Sequence, residues 1–190
     1  MVNPLITTLE LLRPIPKSDQ ELIASYFGLQ ACKEGTILFR GGRICKEMYF
    51  VLDGILRIAM TNDKGIDVTH FFVKENQFCT ILNSFNNQVP AQESIQAACD
   101  TEVLEITRSR LLELYKRLPY VRELIDQITQ QRLLDKIQLR NAYQGEDSAT
   151  RYRLFMQQQP DIAQRISLKD IASYLGITPQ SLSRIRKNMK

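Results

Sequence analysis

The spacing of hydrophobic residues along the chain changes twice and divides it into three parts. Residues 3–29 carry leucines at helical spacing, which predicts one or two short helices. Between residues 31 and 106 the apolar residues form short runs of β type, separated by turn sequences rich in Gly, Asn and Asp. The predicted strands are 36–40, 48–52, 55–60, 68–73, 94–97 and 102–106, and the predicted turns are 33–35, 41–42, 53–54 and 62–65. Short strands at this spacing predict an antiparallel barrel or sandwich.

After residue 106 the helical period returns. A long helix is predicted over residues 120–143, and about 24 residues at ~1.5 Å each would extend ~36 Å, more than a small barrel can cover. Its apolar stripe is narrow and its residues are spaced by three or four positions, as in a two-helix coiled coil. We therefore predict a homodimer contact formed by Val121, Leu124, Ile128, Gln131 and Leu134. The alternative is a long helix that lies on its own barrel.

The final stretch, 167–190, has the pattern of a helix-turn-helix. Ile171 and Leu175 fall on one face of a first short helix. Gly176 follows where that helix should end, because glycine adopts the left-handed C-cap conformation without steric cost. Thr178 is then a good N-cap, and Pro179 a good first residue, for a second helix. The alternative interpretation is an ordinary helical hairpin that covers part of the core.

The excess positive charge of the chain is concentrated in this terminal segment. From Arg165 onwards, six basic residues and one acidic residue, Asp170, give a charge of +5. The whole chain carries +4, so everything before this segment sums to −1. The basic residues are Arg165, Lys169, Arg184, Arg186, Lys187 and Lys190. Such a concentration on the second helix and its neighbour favours contact with DNA phosphates.

Composition is that of a soluble globular protein. Hydrophobic residues make up 44% of the chain and charged residues 24%. No apolar run approaches the ~18 residues that a membrane span needs. The first ten residues lack the basic region and apolar core of a signal peptide, so a cytoplasmic protein is expected.

Candidate metal-binding and catalytic chemistry is missing from the sequence. The cysteines are scattered and there is a single histidine, which does not fit the ligand spacing of a metal site. We expect reduced thiols, and a redox-sensing thiol is the alternative. No nucleophile–base pair, carboxylate dyad or phosphate-binding loop is present, so neither an enzyme nor a cofactor is predicted. The residues concerned are Cys32, Cys45, Cys79, Cys99 and His70.

The order of these parts resembles the Crp/Fnr family of bacterial transcription regulators. The most similar stretch is Ile171-Ala-Ser-Tyr-Leu-Gly-Ile-Thr-Pro-Gln-Ser-Leu-Ser-Arg-Ile, which looks like the family's recognition region. A second is Tyr49-Phe-Val-Leu-Asp-Gly-Ile-Leu-Arg, which looks like a strand of the sensor domain and its turn glycine. The resemblance implies an α+β protein in three parts. These are a cyclic-nucleotide-binding-like antiparallel β-roll or jelly roll (1–118), a dimerisation helix (119–143) and a small helix-turn-helix domain of winged-helix type (144–190).

The same resemblance implies a homodimer on a palindromic DNA site, with its two second helices in successive major grooves about 34 Å apart. The family's base-reading positions fall on Gln180, Ser181 and Arg184. Arginine can donate two hydrogen bonds to guanine, and glutamine can pair with adenine. The other predicted DNA-binding residues are Lys169, Thr178, Ser183, Arg186 and Lys187. Of these, Ser183 and the three cations are assigned to phosphate contacts. Pro179 stands where relatives often have arginine, so the site preference does not carry over.

The ligand site departs from the family pattern. The family's phosphate-binding cassette runs roughly Gly-Glu-x-x-Gly-Glu and later Arg-Ser-Ala, where the arginine pairs with the cyclic phosphate and the glutamate with the ribose. The corresponding stretches here are 76–81 and 91–94, in which Ile81 replaces the glutamate, and Ala91 and Gln92 replace arginine and serine. Without its arginine the phosphate would lose a charge-assisted pair worth about 1.5–3 kcal/mol. Control by cyclic AMP in the family's usual way is therefore not predicted.

A different ligand could bind between the roll and the long helix. We expect its pocket to be lined by Phe78, Thr80, Leu82, Phe85 and Gln92. The asparagine-rich segment 83–88 beside these residues is either a solvated loop or a rebuilt ligand-binding loop.

The sequence thus predicts a sequence-specific DNA-binding transcription regulator without catalysis, cofactor or membrane contact. Its expected partners are palindromic double-stranded DNA and a second copy of the chain, and RNA polymerase and an unidentified small-molecule effector are further candidates. A signal at the roll would shift the dimer helices, and a hinge at 144–147 would change the spacing of the reading helices. The alternatives are a small-molecule-sensing module whose DNA contact is secondary, and a constitutive DNA binder with a vestigial sensor domain.

Overall fold

The computed structural model describes residues 3–62 and 65–189. Asp63 and Lys64 of a predicted turn, and Lys190 of the basic segment, lie outside the described residues, as do Met1 and Val2. The helices are α1 (Pro4–Glu10), α2 (Lys17–Ser25), α3 (Leu82–Asn87), α4 (Arg108–Arg117), α5 (Pro119–Tyr143), α6 (Ser148–Gln158), α7 (Pro160–Ala163), α8 (Leu168–Leu175) and α9 (Pro179–Asn188). The strands are β1 (Gly28–Cys32), β2 (Ile37–Phe39), β3 (Glu47–Asp53), β4 (Leu56–Thr61), β5 (Asp67–Val73), β6 (Phe78–Cys79), β7 (Glu93–Ala97) and β8 (Thr101–Thr107). No helix in these two ranges is long and apolar enough to cross a membrane.

Two antiparallel four-stranded sheets form the β-roll, with the strand orders β1-β8-β3-β6 and β2-β7-β4-β5. Both sheets contribute to an apolar core, in which Val51, Leu56, Ile95 and Val103 are fully buried. The predicted antiparallel barrel or sandwich is confirmed, and each predicted strand is present. The hydrophobic pattern does not predict β1 and β6, because β1 exposes most of its residues and β6 has only two.

The turn between β3 and β4 requires a glycine. Gly54 has a φ of 96°, and a Cβ at this position would overlap Thr101 Oγ1 and the carbonyl oxygen of Asp100. The neighbouring Ile55 N–H donates to Thr101 Oγ1 at 3.2 Å, which holds the turn against the start of β8. A side chain here would therefore separate the two strands.

The asparagine-rich segment is the helix α3, so its interpretation as a solvated loop is wrong. Phe85 is 4% exposed and anchors the helix in the core beside α4 and α5. Ser84 Oγ accepts from Cys45 N–H at 2.8 Å and donates to the Val89 carbonyl at 2.6 Å. Gln88, with a φ of 55°, ends the helix in the left-handed conformation. These contacts come from distant parts of the roll, and a local polar pattern does not reveal them.

The first part of α5 packs on its own β-roll. Val121 is fully buried, Leu124 is 5% exposed and Ile125 is 2% exposed, in a core shared with α1, α2, α4 and the outer face of the first sheet. The prediction that Val121 and Leu124 form dimer contacts is therefore wrong, because their apolar surface is already removed from water within one chain. For this part of α5 the alternative, a helix lying on its own barrel, is correct.

The second part of α5 exposes apolar side chains. Leu133, Leu134 and Ile137 are 44%, 53% and 47% exposed, and Gln131 is also exposed. Ile128 is half-buried at the edge of the intrachain core. Ile128, Gln131 and Leu134 therefore stay predicted dimer contacts. Leu133 and Ile137, one helical turn apart, are further apolar positions that the narrow predicted stripe omits.

The helices α6–α9 form a small C-terminal domain that shares a hydrophobic core with the β-roll. Phe155 and Leu182 are fully buried in a cluster that also contains Ile55 and Phe72 of the roll. The described part of this domain contains no strand, so the turn at 165–166 is not a wing. The domain is a helix-turn-helix held against the sensor rather than a separate body.

Candidate DNA interface and sensor site

The predicted Gly176 C-cap and Thr178 N-cap of the helix-turn-helix are confirmed, and Ser167 is a further cap that was not predicted from the sequence. The first helix, α8, begins after Ser167, whose hydroxyl accepts from Asp170 N–H at 3.1 Å, and ends at Gly176, which has a φ of 66°. The second helix, α9, begins after Thr178, whose hydroxyl accepts from Ser181 N–H at 3.1 Å, with Pro179 as its first residue. Both helix starts therefore have a satisfied backbone donor, and the glycine makes the sharp turn between them.

One face of α9 is free to contact DNA. Leu182 is fully buried against α8, and the opposite face of α9 carries exposed polar residues at spacings of three and four. These are Gln180, Ser183, Arg184 and Lys187. None of the four side chains makes a hydrogen bond or ion pair within residues 3–62 and 65–189. Their donors are therefore available for base edges and phosphates.

Thr178 and Ser181 are less free than the other predicted DNA contacts. The Thr178 hydroxyl accepts from Ser181 N–H and also donates to Ser181 Oγ at 3.0 Å, so its hydrogen-bonding capacity is used in the cap. Ser181 is half-buried, and its hydroxyl hydrogen has no acceptor within the described chain. Thr178 therefore acts mainly as the N-cap of α9. The hydroxyl hydrogen of Ser181 is one donor that is available to DNA.

The charged residues of the terminal segment divide into an outward and an inward group. Lys169 on α8 and Arg186 on α9 are exposed. Arg165 instead turns to the β-roll, where it pairs with Glu75 Oε1 at 2.6 Å and Asp53 Oδ1 at 3.4 Å. The only acidic residue of the segment, Asp170, also turns inward and pairs with a buried arginine of the roll. The outward surface therefore carries cations without a compensating acid.

The predicted ligand pocket is nearly closed. Phe78, Thr80 and Leu82 meet Arg132 and Lys136 of α5 around a cavity of about 40 Å³. Sites for small molecules usually measure about 300–1,000 Å³, so this space holds little more than one water molecule. Phe85 and Leu82 also line a groove of about 470 Å³ between α3, α4 and α5.

Gln92 lines neither of these cavities, so its assignment to the pocket is wrong. Its side chain is exposed, and its carbonyl oxygen lies directly against Gly41. Ala91 beside it is buried. Because residues alternate along an extended chain, burying Ala91 directs Gln92 to solvent.

The positions that correspond to the family's charged ligand contacts are apolar and buried. Ile81 is 6% and Ala91 5% exposed, and both belong to the core between the two sheets. The nearby Thr80 hydroxyl is occupied, because it donates to the Glu47 carbonyl at 2.8 Å. These three residues therefore offer no free charge or donor to a cyclic phosphate.

Lys136 occupies the helix side of this cavity. Its Nζ lies 4.9 Å from the centre of the Phe71 ring, in a cation–π contact. Burial lowers the pKa of Lys136 from its ordinary value of 10.5, and repulsion from Arg132 lowers it further, although the Cys79 thiol acts in the opposite direction. A cation thus lines the cavity of about 40 Å³ between the β-roll and α5.

The variant Lys136→Met is expected to be more stable than the natural protein at pH 7. Since the pKa of Lys136 is depressed in the folded state, the unfolded chain binds more protons just below pH 10.5, and the folded state gains stability as pH rises through that range. The advantage of the variant should therefore shrink towards pH 10.5. Urea unfolding at several pH values measures this, with exposed Lys116→Met as the control. A variant that is less stable at pH 7 would show that the cation–π contact outweighs the cost of burial.

Comparison with known proteins agrees with this architecture. Residues 29–118 match the model of the cyclic nucleotide-binding domain. No curated protein sequence matches the chain significantly.

Solved structures match nearly the whole chain. The c-di-GMP responsive global regulator CLP of Xanthomonas campestris has 17% identity and a TM-score of 0.72, over 92% of this chain and 91% of that one. A regulator of the Crp/Fnr family from Eubacterium rectale has 20% identity and a TM-score of 0.72, over 96% and 87%. The catabolite activator protein of Thermus thermophilus has 22% identity and a TM-score of 0.56, over 96% and 86%. The predicted resemblance to the Crp/Fnr family is thereby confirmed at the level of the fold: residues 29–118 match the cyclic nucleotide-binding domain, and the chain has the fold of the Crp/Fnr transcription regulators.

Proposed function

We propose that this protein is a DNA-binding transcription regulator that acts as a homodimer and reads DNA with α9. The observation that carries the proposal is the unpaired, exposed face formed by Gln180, Ser183, Arg184 and Lys187. A face that only covered a core would be apolar, and a face in an intrachain network would have partners. The shared fold with known transcription regulators supports the same conclusion.

In this proposal Arg184 and Gln180 read base edges. The guanidinium of Arg184 offers the two-donor geometry that fits guanine O6 and N7, and the Gln180 amide can pair with adenine. Lys169, Arg186 and Lys187 neutralise phosphates, which fixes the register of the domain without reading sequence. Binding should therefore weaken as salt increases.

The second part of α5 is the proposed dimer contact. Leu133, Leu134 and Ile137 form an exposed apolar stripe on a helix that runs from the roll to the DNA-binding domain. A second copy of α5 covers such a stripe in a parallel pair of helices. The pairing would place two copies of α9 on one duplex, as a palindromic site requires.

The sensor domain is proposed not to respond to cyclic AMP in the family's usual way. Ile81 and Ala91 supply no charge to a phosphate, and the cavity beside Lys136 is too small for a nucleotide. The same closed cavity favours the second candidate function, a constitutive DNA binder whose sensor is vestigial. Selection of bound sequences from a random duplex pool, with and without cell metabolites, separates the two. Only a regulated protein would change its enrichment.

Arg184→Ala is expected to weaken binding to the selected operator by about 1–3 kcal/mol and to relax the preference at one base pair per half-site. Lys187→Ala is the matched control, because loss of a phosphate contact should weaken all sequences equally and lower the salt dependence by about one charge. Competition titrations with operator and scrambled duplexes measure both effects. Equal weakening on both duplexes by Arg184→Ala would contradict its role in reading bases.

A further inference from the structure

A buried arginine of the sensor contacts the first helix of the helix-turn-helix. Arg57 of β4 is 8% exposed. Its Nη1 lies 2.9 Å from Asp170 Oδ1 of α8 and donates to Thr69 Oγ1 at 3.2 Å. Its Nε donates to Gln96 Oε1 at 2.8 Å, and its Nη2 lies 3.6 Å from Asp67 Oδ2. All three nitrogens of the guanidinium are thus held, and one of their partners belongs to the DNA-binding domain.

Asp170 connects Arg57 to the start of α8. Its second carboxylate oxygen accepts from the hydroxyl of Ser167, the N-cap of α8, at 2.8 Å. The side chains of Arg57 and Asp170 are only 9% and 13% exposed. In such a shielded position, a charge left without its partner is strongly unfavourable. The pair therefore resists displacement of α8 along the sheet.

One turn further along α8, Ser173 binds the edge of the same sheet. β5 is the outer strand of the second sheet, and its pairing with β4 has a register shift beside His70. The Ser173 hydroxyl accepts from Thr69 N–H at 2.9 Å and donates to the Asp67 carbonyl at 2.9 Å. These are free backbone groups of an edge strand, which helix α8 thus satisfies. Two independent polar contacts therefore fix α8 on the β4–β5 hairpin.

We propose that Arg57 is a positioning residue of the reading helix: through Asp170 it fixes the helix-turn-helix on the β4–β5 hairpin of the sensor. This inference rests on the proposed function for the role of α9. The orientation of α9 is then set by the hairpin as well as by the segment 144–147. A signal can turn α9 only if it moves the hairpin or separates Arg57 from Asp170.

Hydrophobic packing alone would not define this orientation so strictly. The cluster that joins Phe155 and Leu182 to Ile55 and Phe72 is apolar and non-directional. The guanidinium–carboxylate contact and the two hydrogen bonds of Ser173 have strict distances and angles. They select one register of α8 on the sheet from the several that apolar packing permits.

The first test follows opening of the domain without DNA. Glu146 lies in the segment 144–147 between α5 and α6. Cleavage after it by a glutamate-specific protease requires this segment and its flanking helix ends to become extended, which is easier once the domain leaves the roll. Arg57→Met and Asp170→Asn are expected to speed this cleavage on the order of tenfold, because each leaves a buried charge or amide without its partner. Arg57→Lys, which keeps the charge but not the planar geometry, should give an intermediate rate.

Two controls separate positioning from general loosening. Asp100→Asn breaks an exposed pair with Lys33, whose side chains are 63% and 87% exposed, and should leave the cleavage rate unchanged. Ser167→Ala removes the cap of α8 and its hydrogen bond to Asp170 Oδ2 but keeps the ion pair between Arg57 and Asp170 Oδ1. A rate for Ser167→Ala equal to that of Asp170→Asn would overturn the proposal, because helix fraying would then explain both. If Arg57→Met does not fold, the cleavage rates of Asp170→Asn and Ser173→Ala provide the test.

The second readout is the spacing of half-sites selected from a random duplex pool. A freely placed reading helix should accept several spacings, so the pool selected by Asp170→Asn should be broader than that of the natural protein. An unchanged cleavage rate in every folded variant would overturn the inference. Absence of any DNA enrichment by the natural protein would instead overturn the proposed function. The protease result would remain valid, because that assay contains no DNA.

Discussion

Leu134→Glu is expected to convert the proposed homodimer into a monomer and to weaken operator binding by about 100-fold or more. Leu134 is 53% exposed in the single chain and lies on the apolar stripe with Leu133 and Ile137. In a dimer, two new carboxylates would face each other in an apolar contact, where unpaired charges are costly. A monomer would also lose the increase in DNA affinity that comes from binding two half-sites at once. Sedimentation velocity and DNA titration measure the two effects.

Leu29→Glu is the matched control for this prediction. Leu29 is 68% exposed on β1 and is not part of the apolar stripe of α5, so the same chemical change should leave both assembly and DNA binding intact. A monomeric Leu134→Glu that binds the full operator normally would show that the DNA contact needs one copy. A dimeric variant would move the proposed interface away from the second part of α5.

Phe155→Ala is expected to lower the free energy of unfolding by about 3–5 kcal/mol. Phe155 is fully buried, and its ring centre lies 5.6 Å from that of Tyr174 in the cluster that joins both domains. Removing the ring leaves a cavity that neighbours from two domains cannot easily fill. Because the cluster includes Ile55 and Phe72 of the roll, unfolding of the natural protein should be a single transition.

Met156→Ala, on the neighbouring residue of α6, is the control for this second prediction. Met156 is 37% exposed, so its truncation should change stability by no more than about 0.5 kcal/mol. Denaturant titration followed by far-UV circular dichroism measures both variants. A loss of less than about 1 kcal/mol for Phe155→Ala, or two separate transitions in the natural protein, would mean that the domains do not share one cooperative core.

The local features of the helix-turn-helix could be predicted from the sequence. The left-handed Gly176, the Thr178 cap and Pro179 at the first position of α9 depend on neighbours within four residues. Six of the eight strands of the roll, all except β1 and β6, could also be predicted, because turn residues and apolar runs alternate along the chain. Such features can be predicted without knowing which part of the fold packs against them.

The predicted dimer contacts on α5 show the limit of what a periodic pattern of apolar residues can predict. Val121, Leu124 and Leu134 follow the same helical spacing, yet the first two are buried in their own chain and the third is exposed. Spacing shows that a side chain faces an apolar surface. It does not show whether that surface belongs to the same chain or to another.

The direction of charged side chains was also decided by the tertiary structure. Arg165 and Arg184 contribute equally to the terminal charge, but Arg165 pairs with Glu75 of the roll and Arg184 faces outward. Asp170 turns to Arg57, a residue 113 positions earlier in the chain that no local pattern connects with it. The sequence by itself determined six of the eight strands, the caps of the helix-turn-helix and the charge of α9, because these depend on near neighbours. Only the folded chain decided which charges face outward, because contacts between distant residues set their directions.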